Sequence, residues 1–188
     1  MKTILPSLIY FSGLGCGFIM IEIVLIQQFS LLLGEPVYTF AIVLSALLVF
    51  TALGAYLSGR YNLQTFKALR KVILILSVVL LITSIFLAPL FGRAIALPMW
   101  GRIILSIIIV FPIGVLLGMP FPTGIKIVAQ QHPDIIPWAW GINGFFTVIG
   151  TVFALILSMI FGFQAVLWIA ILIYLFSMVI FLSGRKGA

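Results

Sequence analysis

The sequence is poor in charge, and poorest in acids. Of 188 residues only 7% are charged, and the chain holds three acids, one histidine and one cysteine. Ordinary soluble domains carry roughly 25% charged residues and about 45–50% apolar ones. This chain is 64% hydrophobic, with a mean hydropathy of +1.41. That shortage excludes a soluble enzyme, a disordered tail and a disulfide-built secreted scaffold. The lone Cys16 cannot form an internal disulfide, and within an apolar run it reads as a small packing residue. The lone His132 excludes bis-histidine haem ligation within the chain, and no metal-ligand cluster is spaced in the sequence. In Gln131-His132-Pro133-Asp134 it reads as a loop residue, capping or solvated. A Ser-His-Asp arrangement cannot be assembled, because only Asp134 of the three acids lies near His132. No strand precedes a glycine-rich loop, so a phosphate loop is missing as well.

What is present is apolar run after apolar run. A membrane helix needs about 20 mostly apolar residues, and six such runs are legible, at about 8–33, 37–58, 72–91, 103–118, 137–161 and 163–182. The expected fold is therefore all-α and polytopic, one six-helix transmembrane domain, because irregular backbone cannot face lipid. Gly34-Glu35-Pro36 reads as a tight turn, and Gly162 as a hairpin with almost no loop. The first run is too long for a signal peptide, contains Glu22 and lacks a cleavage pattern, so it is expected to be retained. The loops are too short for a soluble domain.

Positive residues assign the sides. Lys2, Arg60, Lys67, Arg70, Lys71, Lys126, Arg185 and Lys186 fall on one side of this topology, and Arg93 and Arg102 on the other, which predicts cytoplasmic termini. The net charge of +7 thus reads as topology signal and anionic-lipid contact, not as a nucleic-acid surface, since no basic stripe interleaves with exposed aromatics. Tyr56, Tyr61, Trp100, Trp138 and Trp140 sit near span ends, as interfacial aromatics do.

Residues 32–39 and 116–123 echo each other, each following the first helix of a three-helix half. That is either chance or a 3+3 inverted repeat, as in transporters built that way. Small residues recur at Gly150, Ala154, Ser158 and Gly162, at Gly13 and Gly17, and at Gly114 and Gly118. They predict close helix neighbours for those three spans, in this chain or another.

Glu22 is the outstanding polar position, near the middle of the first span. An acid at the bilayer centre costs roughly 2.5–3.5 kcal/mol on insertion scales. It is read either as a proton relay, cation-coupling or ligand-contact group, or as a hydrogen-bonded structural acid joining two helices. Gln27 and Gln28 extend the polar streak. Asn143, between Gly141 and Gly144, offers either a close ligand contact or an interhelical hydrogen bond, to Glu22 or a glutamine. Pro112, Pro120 and Pro122 bracket the end of the fourth span, where 118–124 should break the helix and free carbonyls. A short interfacial helix is expected at 125–131.

These residues resemble a family. The stretch Gly17-Phe18-Ile19-Met20-Ile21-Glu22-Ile23-Val24-Leu25-Ile26-Gln27-Gln28-Phe29 followed by Leu33-Gly34-Glu35-Pro36-Val37-Tyr38 is similar to the membrane region of bacterial spermidine-synthase-like proteins. So are Gly118-Met119-Pro120-Phe121-Pro122, Trp138-Ala139-Trp140-Gly141-Ile142-Asn143-Gly144 and Gly162-Phe163. Such proteins join a major-facilitator-like membrane part to a spermidine-synthase-like domain. The stretch from Gly54 through Arg60 to Arg70-Lys71 also loosely resembles the cytoplasmic loop of a facilitator half. The aminopropyltransferase pocket has no counterpart here, so the resemblance implies a membrane module without that activity, working with another polypeptide in a bacterial inner membrane.

Two functions follow as expectations. One is a non-catalytic membrane subunit that anchors or scaffolds a larger complex, contributing a lipid or quinone contact. The other is a small-solute or cation carrier working as an oligomer of six-helix units. An intramembrane enzyme using Glu22, Gln27 and Asn143 ranks third. No cofactor is expected on this chain alone; partner subunits and lipids are the expected company, and nucleic acid is not.

Overall fold

In the computed structural model, residues 4–60, 65–130 and 132–184 are described. Lys2, Tyr61, Gln131, Arg185 and Lys186, used above for sidedness, the aromatic belt and a loop, lie outside them. The described chain runs α1 (Ile4–Leu33), α2 (Pro36–Arg60), α3 (Phe66–Ala94), α4 (Met99–Leu117), α5 (Pro120–Ala129), a 3₁₀ turn (Pro133–Ile135), α6 (Ile136–Phe161) and α7 (Phe163–Gly184). Six helices are long and apolar enough to cross a membrane, with α4 and α5 forming one such stretch. The chain is an all-α, multi-pass membrane protein.

Most helices run past the apolar stretches that mark them, because end chemistry rather than hydropathy sets their limits. α1 stops where Gly34 turns left-handed at φ 81°, a conformation open to glycine. Pro36 then opens α2, where its missing N–H costs nothing. α3 begins six residues ahead of its apolar run because Thr65 caps it, its Oγ1 accepting from the Ala68 N–H at 3.2 Å. Gly162, at φ 80°, separates α6 from α7 as the hairpin reading required.

The expected break after α4 is milder than anticipated. Pro112 lies inside α4, and Gly118 and Met119 both keep right-handed helical dihedrals. The Gly118 N–H still reaches the Gly114 carbonyl at 3.0 Å, and Thr123 N–H reaches Met119 at 3.2 Å. The short helix that follows starts at Pro120 rather than at 125. The Pro120 carbonyl is not free either: it accepts from the Tyr10 hydroxyl at 2.9 Å.

α1 is the most buried span and the centre of the bundle. It packs mainly against α6 and α7, while α2 packs against α4, and α3 ties α7 to α4. The buried core follows α1 through Tyr10, Phe11, Met20, Ile21, Val24, Leu25 and Phe29. Tyr10 stacks on Phe181 of α7 at 4.3 Å, and Phe29 meets Phe91 of α3 at 5.2 Å. Outward-facing Phe, Ile, Leu and Val on α2, α3 and α6 stay exposed, as lipid-facing residues must, since lipid tails are as apolar as the core.

One end of the bundle collects the start of α1, the end of α2, the start of α3, α5, the start of α6 and the end of α7. A Cβ on Gly184 would lie 2.9 Å from Pro6, and Phe66 and Phe181 rings are 5.3 Å apart. The described basic residues Arg60, Lys67, Arg70, Lys71 and Lys126 belong to this end, and Arg93 and Arg102 to the other.

The inverted-repeat expectation meets mixed geometry. At the helix level, the first span pairs with the fifth and the second with the fourth, the reciprocity such a repeat produces. At the residue level the echo diverges. Residues 32–39 make a left-handed turn into a full span, whereas residues 116–123 continue right-handed into the short α5.

Candidate functional site

Glycines lock the helices into two close pairs. Along α1 and α6, which run in the same direction, Gly15 faces the Asn143 carbonyl and Gly150 faces the Cys16 backbone, where a Cβ would come within 2.9 Å of Cα. Along α2 and α4, Gly54 faces the Val115 carbonyl and Gly118 the Thr51 carbonyl, while a Cβ on Gly114 would meet Phe50 Cβ at 2.7 Å. α7 closes on α1 the same way, with Gly13 against Ser177 and Gly17 against Tyr174. The small-residue stripes thus have their neighbours inside this chain at Gly13, Gly17, Gly114, Gly118 and Gly150, and Ala154 is fully buried. The α6 stripe ends there. Ser158 is only half-buried and turns its hydroxyl back to Leu155, and Gly162 has open space around it. Gly15 and Gly54 belong to these contacts although no four-residue spacing marks them.

Between the two pairs lies a groove of about 370 Å³, within the size range of small-molecule sites. α2 and α6 form its walls without packing substantially on each other, and α1 forms its floor. The floor supplies Leu14, Gly15 and Phe18; one wall supplies Leu48, Thr51, Ala52 and Ala55; the other supplies Asn143 and Thr147. Leu117, Gly118, Pro120, Phe121 and Pro122 close one end, and Tyr174 reaches in from α7. No charged residue among those described lines it.

The polar groups of this groove are mostly engaged with the backbone. Asn143 Nδ2 donates to the Phe11 carbonyl at 3.0 Å, joining α6 to α1. The interhelical bond expected of Asn143 is therefore made, but to a backbone carbonyl and not to Glu22 or a glutamine. Thr147 Oγ1 donates to the Asn143 carbonyl at 2.9 Å, and Thr51 Oγ1 to the Leu48 carbonyl at 3.1 Å. Pro122 has no N–H to offer the carbonyl four residues back, at Gly118 on the rim.

The other predicted polar residues do not join Asn143. Glu22 lies on α1 one turn beyond Phe18, half-buried, and makes no hydrogen bond or ion pair among the described residues. Gln27 is exposed on a shallow surface recess with Ser30, Pro36 and Phe40. Gln28 is half-buried, with Oε1 enclosed and unpartnered.

Two residues carry more than sequence reasoning assigned them. Tyr174 was one aromatic in an apolar run. Arg102 was only a charge for sidedness, yet it donates from Nη1 to Leu32 at 3.3 Å, from Nη2 to Ile95 at 2.6 Å and from Nε to Leu97 at 2.9 Å. It fastens the end of α1 to the α3–α4 connection, using carbonyls that helix ends leave open.

No protein-family model, curated protein or solved structure matches the chain.

Proposed function

We propose that this chain is a non-catalytic integral membrane subunit of a bacterial inner membrane, anchoring or scaffolding a larger complex and contributing a lipid or quinone contact through the groove over α1. The groove, lined by no charged residue among those described, carries this reading. A cation carrier needs carboxylates, or a ring of carbonyls, along its path, and Glu22 does not line the groove. Its Leu, Phe, Ala and Pro surface, with a few neutral polar groups, instead suits an uncharged molecule with an apolar tail. Short connections at 34–35, 95–98 and residue 162 keep those segments at the bilayer. The resemblance to the membrane region of spermidine-synthase-like proteins supports a module of this kind, without aminopropyl transfer.

Mild-detergent purification of the native protein, followed by mass spectrometry and an absorption spectrum, tests it. Co-purifying membrane polypeptides and bound lipid or quinone are expected. A clean homo-oligomer without bound amphiphile would overturn it.

The pairing of first span with fifth and second with fourth favours a second reading, a carrier module assembled from six-helix units. Saturable flux in proteoliposomes would move the assignment to it.

A further inference from the structure

The groove is unevenly matched in hydrogen-bonding groups. Asn143 Nδ2, Thr147 and Thr51 already donate to backbone carbonyls. Tyr174 differs. It is only 2% exposed and lines the groove, and its hydroxyl makes no hydrogen bond among the described residues. The hydroxyl of an otherwise buried tyrosine ordinarily finds a partner, and this oxygen is not among the enclosed unpartnered atoms, so it keeps open surface on which to find one. The neighbouring Tyr10 hydroxyl has one, the Pro120 carbonyl. Tyr174 belongs to α7, behind α1, and reaches the groove only because α1 carries no side chain at Gly17. A Cβ there would lie 2.7 Å from the ring atoms Cδ2 and Cε2. The fold thus delivers an uncommitted hydroxyl donor into a mainly apolar groove that no charged residue among those described lines.

Resting on the reading of the groove as an amphiphile site, we propose that it binds an uncharged amphiphile through a carbonyl oxygen that accepts a hydrogen bond from the Tyr174 hydroxyl. The apolar tail lies along Leu14, Phe18 and Leu48, with Ala52 and Ala55 leaving it room. An anionic head group is disfavoured by the groove's own chemistry: no cation among the described residues lines it, Thr51 and Thr147 have given their hydroxyl protons to backbone carbonyls, and Asn143 keeps a single amide proton beside the one it gives Phe11. Two membrane molecules share the required carbonyl, a quinone ring and the acyl ester of a neutral glyceride.

The test is a native mass spectrometry titration of the full chain in detergent micelles with three probes of equal tail length: decylubiquinone, monodecanoylglycerol and decylbenzene, which has no carbonyl. At least one carbonyl probe is expected to bind tighter than decylbenzene, and which one identifies the source. Tyr174→Phe keeps the ring on Gly17 and removes only the hydroxyl. It should weaken the preferred carbonyl probe by roughly 2- to 10-fold, the range one neutral hydrogen bond carries, and leave decylbenzene unchanged. Ala55→Phe, which fills the groove, should remove all three. Carbonyl probes no tighter than decylbenzene, or unaffected by Tyr174→Phe, would overturn the hydroxyl's role while the groove stands. Absence of binding by any probe, or indifference to Ala55→Phe, would overturn the amphiphile groove itself.

Discussion

Asn143 on α6 donates its side-chain amide to the backbone carbonyl of Phe11 on α1, 3.0 Å away and 132 residues earlier in the chain. One turn on, the Asn143 carbonyl lies against Gly15, so the two helices touch backbone to backbone beside the bond that joins them. The bond sits on the wall of the groove and fixes the spacing of wall and floor. Asn143→Ala should therefore loosen the α1–α6 pair. The Phe11 carbonyl keeps its helical partner, so the loss is only that of an interhelical bond in a membrane, about 0.5–1.5 kcal/mol. Thermal unfolding in detergent reads this; an unchanged midpoint would mean that the glycine contacts alone hold the pair.

The glycines separate cleanly by what surrounds them. Gly15 and Gly118 face backbone carbonyls of α6 and α2, which cannot rotate aside, whereas Gly141 and Gly144 have nothing within 4 Å. Gly15→Ala and Gly118→Ala should each destabilise by about 1–3 kcal/mol or more, whereas Gly141→Ala and Gly144→Ala should be neutral or stabilise by up to about 1 kcal/mol, since Ala is the better helix former. Yield of folded, monodisperse protein from a fluorescent fusion distinguishes the two classes. Equal behaviour of all four would refute the close pairing.

The six helices were legible because lipid admits few alternatives: an apolar run of sufficient length, with its backbone bonds satisfied within itself, is the signal and the structure at once. Helix ends were less so. The reach of α3 back to Phe66 depends on the Thr65 cap, a polar event outside the apolar run. Gly13, Gly17, Gly114, Gly118 and Gly150 stood out by spacing, but Gly15 and Gly54 did not, because what matters there is the opposing carbonyl. The groove was not legible at all. It exists only through the mutual placement of α1, α2, α4, α5 and α6, and Tyr174 enters it across a gap on another helix. Glu22, Gln27 and Gln28 read as one polar streak, yet they point to separate surroundings, since neighbours in sequence on a helix diverge in direction; Asn143, the fourth candidate, lies on α6 and bonds the Phe11 carbonyl instead of any of them.

Arg102 holds three carbonyls at once, at Leu32, Ile95 and Leu97. Lysine carries the charge but not the planar fork that spans them. Arg102→Lys and Arg102→Gln should both lower stability, by about 1 kcal/mol given the partial exposure of the site. Protease sensitivity of the α3–α4 connection should rise in parallel. Full rescue by lysine would show that charge, not geometry, is what counts.

Five described basic residues gather at one end of the bundle and two at the other. The expected outcome is a cytoplasmic position for Lys67, Arg70 and Lys126, and an outer position for Trp100. Single cysteines at Lys67 and at Trp100, placed in a Cys16→Ala background, can be labelled in intact cells with a membrane-impermeant maleimide. Trp100→Cys should label and Lys67→Cys should label only after the membrane is opened. The reverse pattern would invert the topology.

Glu22 lies on α1 one turn past Phe18, half-buried, and no described group bonds its carboxyl. An acid so placed opposes insertion, and removing it breaks no hydrogen bond or ion pair among the described residues. Glu22→Leu should therefore leave the stability of the isolated protein unchanged or raise it by about 1–2 kcal/mol, and Glu22→Gln should leave amphiphile binding in the groove untouched, because Glu22 does not line it. Thermal midpoints of the isolated protein in detergent, compared with those of the protein purified gently from native membranes together with any polypeptides that accompany it, give the decisive reading. Stabilisation in isolation together with loss of co-purifying polypeptides would place the carboxyl's partner on another chain. Destabilisation in isolation would instead mean that the carboxyl is bonded within these six helices, contrary to the arrangement described.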